Sequence, residues 1–92
     1  MRFTIDSKTA ADTIGRVAAL SGERPVLLTS TGTGLCAVGT SLTLEMEAVM
    51  QAEIEAPGVM AVEGAALRSV LRVCPPGPVT FTDQGKRLAI KA

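Results

Sequence analysis

From Leu42 to Ala56 every second residue is apolar: Leu42, Leu44, Met46, Ala48, Met50, Ala52, Ile54 and Ala56. Between them stand Thr43, Glu45, Glu47, Val49, Gln51, Glu53 and Glu55. Successive side chains of a β-strand point to opposite faces, so this period of two gives a strand with one dry and one wet face. Extended at the usual rise per residue, the stretch would run about 50 Å. That is too long for one flat strand in a chain of 92 residues. It is expected to bend, to carry a bulge, or to serve two neighbouring strands in turn. Its wet face holds Glu45, Glu47, Glu53 and Glu55 with no cation among them. A long antiparallel strand with an acidic outer face is thus the spine of the chain.

A chain of this length makes one domain, residues 1–92, and buries only about two thirds of its unfolded surface. Its stability is expected to be modest unless copies associate. No apolar run approaches the length of a transmembrane helix. Arg2, Asp6, Lys8, Asp12 and Arg16 interrupt the first twenty residues, which leaves no uncharged signal-peptide core. Cys36 and Cys74 lie far apart in apolar surroundings without CxxC spacing. They read as reduced core thiols of a cytoplasmic protein.

Net charge is zero, yet the charges are segregated. Pro25 to Leu67 holds five acids (Glu45, Glu47, Glu53, Glu55, Glu63) and no base, while the flanks hold all nine bases against four acids. If the flanks carry the helices, one surface is basic and the other acidic, an arrangement suited to a polyanion on one side only.

In chain order, Arg2–Asp6 alternates with Phe3 and Ile5 inward, and Asp6 or Ser7 can cap a helix. Ala10, Ile14, Val17, Ala18 and Ser21 then recur at helical spacing from Ser7 to about Ser21, where Gly22 terminates the pattern. Val26–Leu28 begins a strand, Thr31–Gly34 is a turn, and Leu35–Gly39 is the next strand. Pro57-Gly58 ends the spine, and Val59–Val62 is short and extended. Gly64–Cys74 is a second helix with Leu67, Val70, Leu71 and Cys74 on one face, and Arg68 and Arg72 on another. Pro75-Pro76-Gly77-Pro78 stops it. Val79–Thr82 and Leu88–Lys91 form a last hairpin around Asp83–Arg87.

Strand, helix and hairpin therefore occur twice, with the spine joining the copies. A pseudo-twofold axis relating them sets both helices side by side on one face of antiparallel sheets, an α+β architecture. Lys8, Arg16, Arg68 and Arg72 then share one surface.

RFTID at the start, a helix ending in Gly22 with Arg24-Pro25 behind it, VGT followed by LEMEA, and VMAVEGAALRSVLRVCPPGPVTF resemble the first domain of the bacterial DNA sliding clamp, the beta subunit of DNA polymerase III. The likeness runs through almost the whole chain, and the GT…LEMEA element is its most specific part. The resemblance implies a DNA-clamp-like domain, six of which form a ring around duplex DNA with helices lining the hole and sheets forming the rim. It also implies phosphate contacts from the first helix, the second helix and the Arg after the first helix. Arg24 stands at that last position, and Lys8, Arg16, Arg68 and Arg72 are the cations on the helices. Three departures matter. The segment between the Arg-Pro pair and the second strand is shortened, and about two residues, Leu42-Thr43 or neighbours, are added before LEMEA. The chain also stops at Ala92, before the family's closing strand and its second and third domains. The groove that receives polymerase and loader peptides lies mainly in the third of those domains, so its residues are not carried over.

Each feature also has a plainer reading. Lys8, Asp12 and Arg16 at four-residue spacing fit an intrahelical salt-bridge ladder worth about 0.2–0.5 kcal/mol per pair. One-sided glutamates on an open strand lack the cage a hard cation needs, so no metal and no cofactor is expected. Gly32-Thr33-Gly34 sits between strands, where a dinucleotide fingerprint requires a following helix. It reads as a hairpin turn. Met46, Met50 and Met60 read as core filler.

An enzyme is not expected, because the chain has no His, no Cys–His pair and no carboxylate couple in an evident cleft. Single-strand binding fares no better, since only Phe3 and Phe81 could stack on bases and both are at inward positions. The expectation is a non-catalytic processivity or tethering factor in DNA replication, ring-forming and cytoplasmic, with no membrane partner. Its partners would be duplex DNA through the backbone, further copies of itself as a closed homo-oligomer (a hexamer), and a polymerase or clamp loader. The rival is a non-encircling interaction module that pairs with another protein, a full-length clamp included, through an open sheet edge.

Overall fold

The computed structural model describes residues 1–32 and 34–92. Their order is β1 (Arg2–Asp6), α1 (Ser7–Ser21), β2 (Pro25–Ser30), β3 (Gly34–Thr40), β4 (Glu45–Gln51), β5 (Glu53–Ala56), β6 (Gly58–Glu63), α2 (Gly64–Val73), β7 (Pro78–Asp83) and β8 (Leu88–Lys91). The strands form two four-stranded antiparallel sheets, ordered β5-β1-β7-β8 and β4-β3-β2-β6. The expected strand–helix–hairpin repeat is present, and its halves interlock. The first strand of each half leaves its own hairpin and joins the other's, β1 beside β7 and β6 beside β2.

The spine takes the third of the expected courses. It breaks at Ala52, so that β4 pairs with β3 in one sheet and β5 with β1 in the other. A register shift between Arg2 and Phe3 leaves Glu55 bulged between the partners of those residues. The carboxylate of Glu55 accepts from Arg2 Nε at 2.8 Å. The dry face of the spine is dry only in part. Met50 is 8% exposed, Met46 41%, Leu44 63% and Leu42 86%. The first residues of the stretch are not strand at all but the β3–β4 turn, where Ser41 Oγ accepts from the backbone N–H of Thr43 and of Leu44.

Both helix ends are satisfied, by different means. Asp6 caps α1, its carboxylate accepting from Thr9 N at 3.1 Å. No side chain caps α2. Instead Gly64 N donates to Arg24 O at 3.0 Å and Ala65 N to Gly22 O at 2.7 Å. A Cβ at Gly64 would stand 2.7 Å from Ala18 O, so this docking of one helix on the end of the other requires glycine. The pseudo-symmetric bond is Ser7 N to Gly77 O at 2.8 Å. Each helix thus begins on the backbone of the loop that follows its counterpart.

The core is continuous through both sheets. Phe3 and Phe81 face each other across β1 and β7, fully buried and stacked with ring centroids 4.7 Å apart. Ile14, Leu28, Leu35 and Leu67 are the largest fully buried aliphatic members of the same core. Gly39 lets α1 press onto β3, since a Cβ there would lie 2.6 Å from Val17 O. Beside it, buried Ser21 Oγ accepts from Thr40 N at 3.1 Å. Thr31 N donates to Gly34 O at 3.0 Å to close the β2–β3 hairpin. Thr33, within the expected turn, lies outside the described residues.

Two expectations are corrected. Helical spacing places Val70 on the inward face of α2, but the residue is 42% exposed, because Leu67 and Leu71 alone meet the core there. Cys36 and Cys74 are unpaired thiols, as expected, but half-buried rather than core residues. Alternation on β3 buries Leu35 and Ala37 and turns Cys36 outward, toward β4. Its thiol donates to Glu47 Oε1 at 3.5 Å. Partial burial, then the bond to Glu47 and its negative charge, push the Cys36 pKa above its ordinary value.

Candidate nucleic-acid interface

The two helices lie against each other, and their facing residues show that they run antiparallel. Ala11, Asp12, Gly15, Arg16 and Ala19 of α1 and Arg68, Leu71 and Arg72 of α2 line one open groove of about 320 Å³. Toward the start of α1 a second hollow follows, where Lys8 and Ala11 meet Arg72, Cys74 and Pro76. The floor is made of small residues four apart, Ala11, Gly15 and Ala19. A Cβ on Gly15 would have nothing within 4 Å. Sequence reasoning from the charges misses this floor, although small residues at four-residue spacing are the signal of a shallow helix face.

Four of the five cations singled out from the sequence therefore converge. Arg16, Arg68 and Arg72 share the groove, and Lys8 joins Arg72 in the adjoining hollow. All four are exposed, as long cationic side chains on an outward helix stripe should be. The fifth, Arg24, is held elsewhere. Its N–H donates to Ser21 O at 2.9 Å and its carbonyl receives Gly64 N, which fixes it in the loop where α1 ends and α2 begins. Its side chain is exposed but outside the groove lining.

Nor does the salt-bridge ladder form. Among the described residues the ion pair is Arg2–Glu55, and neither Lys8 nor Arg16 closes on Asp12. Asp12 remains the one acid in the groove against three arginines. The acids of β4 and β5 sit on the sheets, away from the groove lining. Loosely placed cations reward any phosphate backbone equally and specify no base. Phe3 and Phe81 are fully buried, so neither offers a stacking platform.

No known family model matches the sequence. Comparison of the fold with solved structures is decisive. The beta sliding clamp of Caulobacter crescentus superposes with a TM-score of 0.90 at 26% identity, over 100% of this chain and 27% of that one. This is the fold of a bacterial sliding-clamp domain. The DNA polymerase III subunit beta of Pseudomonas aeruginosa matches with a TM-score of 0.88 at 25% identity, over 99% of this chain and 27% of that one. The Helicobacter pylori beta clamp reaches 0.90 at only 11% identity, again over 100% and 27%. The chain thus spans about a quarter of the length of the clamps it matches. No helix is long and apolar enough to cross a membrane.

Proposed function

We propose that this protein is a non-catalytic DNA clamp, a processivity or tethering factor whose copies assemble into a ring around duplex DNA. The observation that carries the reading is the convergence of Lys8, Arg16, Arg68 and Arg72 on one α1–α2 surface within a sliding-clamp fold. One copy measures 34 × 26 × 24 Å and its interior is filled by the core, so encirclement requires several copies. Six would supply a closed ring with the helices inward, and Arg24 would extend the cationic surface of each. A ring holds DNA topologically, so its phosphate contacts stay weak and blind to sequence. Polymerase or clamp loader would be its clients.

The test uses duplex binding and retention. Replacing Arg24, Arg68 and Arg72 together by Ala is expected to weaken binding to all duplex sequences alike. It should flatten the plot of log affinity against log salt by about 0.9 for each phosphate no longer neutralised. Folding should change by less than about 0.5 kcal/mol, since these side chains are exposed. Protein loaded on circular duplex should survive a salt wash and be released when the circle is cut. Equal retention on linear and circular DNA, or unchanged binding by the triple variant, would rule the reading out. A second reading, a non-encircling module that pairs with another protein, draws support from the free edge of β8. Native mass separates the two, because a ring needs a closed multimer.

A further inference from the structure

The two sheets differ on the faces they turn away from the helices. On the sheet β5-β1-β7-β8 those positions hold Thr4, Thr80 and Thr82, with Arg2, Glu53 and Lys91 around them. Thr4 and Thr80 stand opposite each other, their hydroxyls hydrogen-bonded at 3.0 Å. On the sheet β4-β3-β2-β6 the outward positions are mostly apolar. Register sets Val49, Cys36, Thr29 and Val59 in one row across the four strands, with Val38, Leu27 and Ala61 in the next. Leu27 is 42% exposed, Val59 57% and Val49 73%. Strand preference does not account for this, because threonine meets it as well on the other sheet. The solvated face of an antiparallel sheet is ordinarily polar. A contiguous exposed apolar patch with a polar rim marks an interaction site.

The rim is acidic. Glu47 ends the second row on β4, and Glu45 and Glu63 lie one row further, on either side. All four strands fall within Pro25–Leu67, a stretch that contains no base. Glu63 pairs with Pro25, next in the chain to Arg24, so the acidic border is clearest at β4. Strands about 4.8 Å apart set the ends of a row about 14 Å apart, and the two rows lie about 7 Å from each other. A helix rises about 1.5 Å per residue and is about 10–12 Å across, so about ten residues cover both rows.

We infer that this sheet face receives an amphipathic helix of another protein, its apolar stripe bordered by Lys or Arg. Helix on sheet is the ordinary way to cover such a face, and the cations of the border meet Glu45 and Glu47. A second copy applying the same face is the poorer occupant, since it brings further glutamates and no cation, and like charges across an interface are costly. The face points away from α1 and α2. It stays open in a ring whose helices turn inward, so the inference stands apart from the ring.

The test uses the two thiols of the full chain. Cys36 is half-buried in the first row and reports on its cover, while Cys74 ends α2 beside the second hollow and serves as the control. The probe is a synthetic helical peptide with a leucine stripe bordered by lysines, and a companion peptide carries glutamates in their place. At about ten times its Kd, the lysine peptide is expected to slow alkylation of Cys36 by about tenfold and to leave Cys74 unchanged. Leu27→Thr with Val59→Thr should raise that Kd, read from the anisotropy of labelled peptide, by about tenfold or more. The unfolding midpoint of this variant should stay near that of the native chain. Glu45→Lys with Glu47→Lys should weaken the lysine peptide and favour the glutamate peptide. No slowing at Cys36 up to about 1 mM lysine peptide, or equal binding of both peptides by the native chain, overturns the inference. Binding that neither pair of substitutions alters does the same. Slowing at Cys36 as protein concentration rises without peptide, with a doubled native mass, also overturns it and gives the face to a second copy.

Discussion

The two halves of the repeat share a plan and differ in how well they are closed. α1 rests on β2, β3 and β4 as well as β1, and seven of its residues are buried. α2 rests on α1 and β6, with only Gly64, Leu67 and Leu71 buried, and Val73 at its end is 80% exposed. The difference follows from one strand. β4 extends the sheet under α1, Gly39 allows the helix down onto it, and Ser21 ties the end of the helix to Thr40. Beside β8 there is no such strand among the described residues, and α2 stands over an open trough. Helical spacing of apolar residues in both stretches thus yields unequal burial, because a helix face is buried only as far as something lies under it.

The sharpest way to break this comparison is to truncate one aliphatic residue in each helix, the buried Ile14 of α1 and the exposed Val70 of α2. Ile14→Ala should cost about 2–5 kcal/mol, since a fully buried side chain leaves a cavity. Val70→Ala should change stability by less than about 0.5 kcal/mol in the monomer. Urea unfolding of both variants measures this, and similar losses would mean that the outer side of α2 is covered after all. Next in size is Gly39→Ala, expected to cost about 1–3 kcal/mol by forcing α1 off β3. Thermal unfolding unchanged by that substitution would show that the close approach is not what seals the first half.

The helix starts offer a finer contrast. Asp6→Ala should cost about 1 kcal/mol, because it removes a side-chain cap. Glu63→Ala should cost less than about 0.5 kcal/mol, since backbone carbonyls receive the first N–H groups of α2. A larger loss at Glu63 than at Asp6 would reverse the assignment of caps.

Smallest is the effect on the thiols, one in each half. The raised pKa of Cys36 means that its proton is held more tightly in the folded than in the unfolded chain. The associated stability is present below the unfolded value and is lost as pH rises through the folded one. In a Cys74→Ser background, the midpoint of the alkylation rate against pH should lie above the ordinary thiol value of 9.0. Glu47→Gln should bring it only part of the way down, because burial is the larger cause. A midpoint indifferent to Glu47 would show that the two side chains do not meet.

Much of this molecule is legible in its sequence. The bounds of α1 follow from Asp6, the 3.6-residue spacing of Ala10, Ile14 and Val17, and Gly22, which takes a positive φ of 58° where the helix ends. The hairpins follow from alternation and glycine turns, and the repeat from their order. These are local signals, decided by dihedral preference and by which residues can share a face. The cationic groove is half legible. Helical spacing puts Arg68 and Arg72 on one stripe, but only the antiparallel packing of α2 on α1 brings Arg16 and Lys8 to them and leaves Arg24 in a loop. The break at Ala52, the exposure from Met46 out to Leu42, and the uncovered Val70 are decided by tertiary structure alone. Alternation states which side chains can be buried together. Whether they are buried depends on a neighbour supplied by another part of the chain, and that neighbour is present over β3 and absent beside β8 among the described residues.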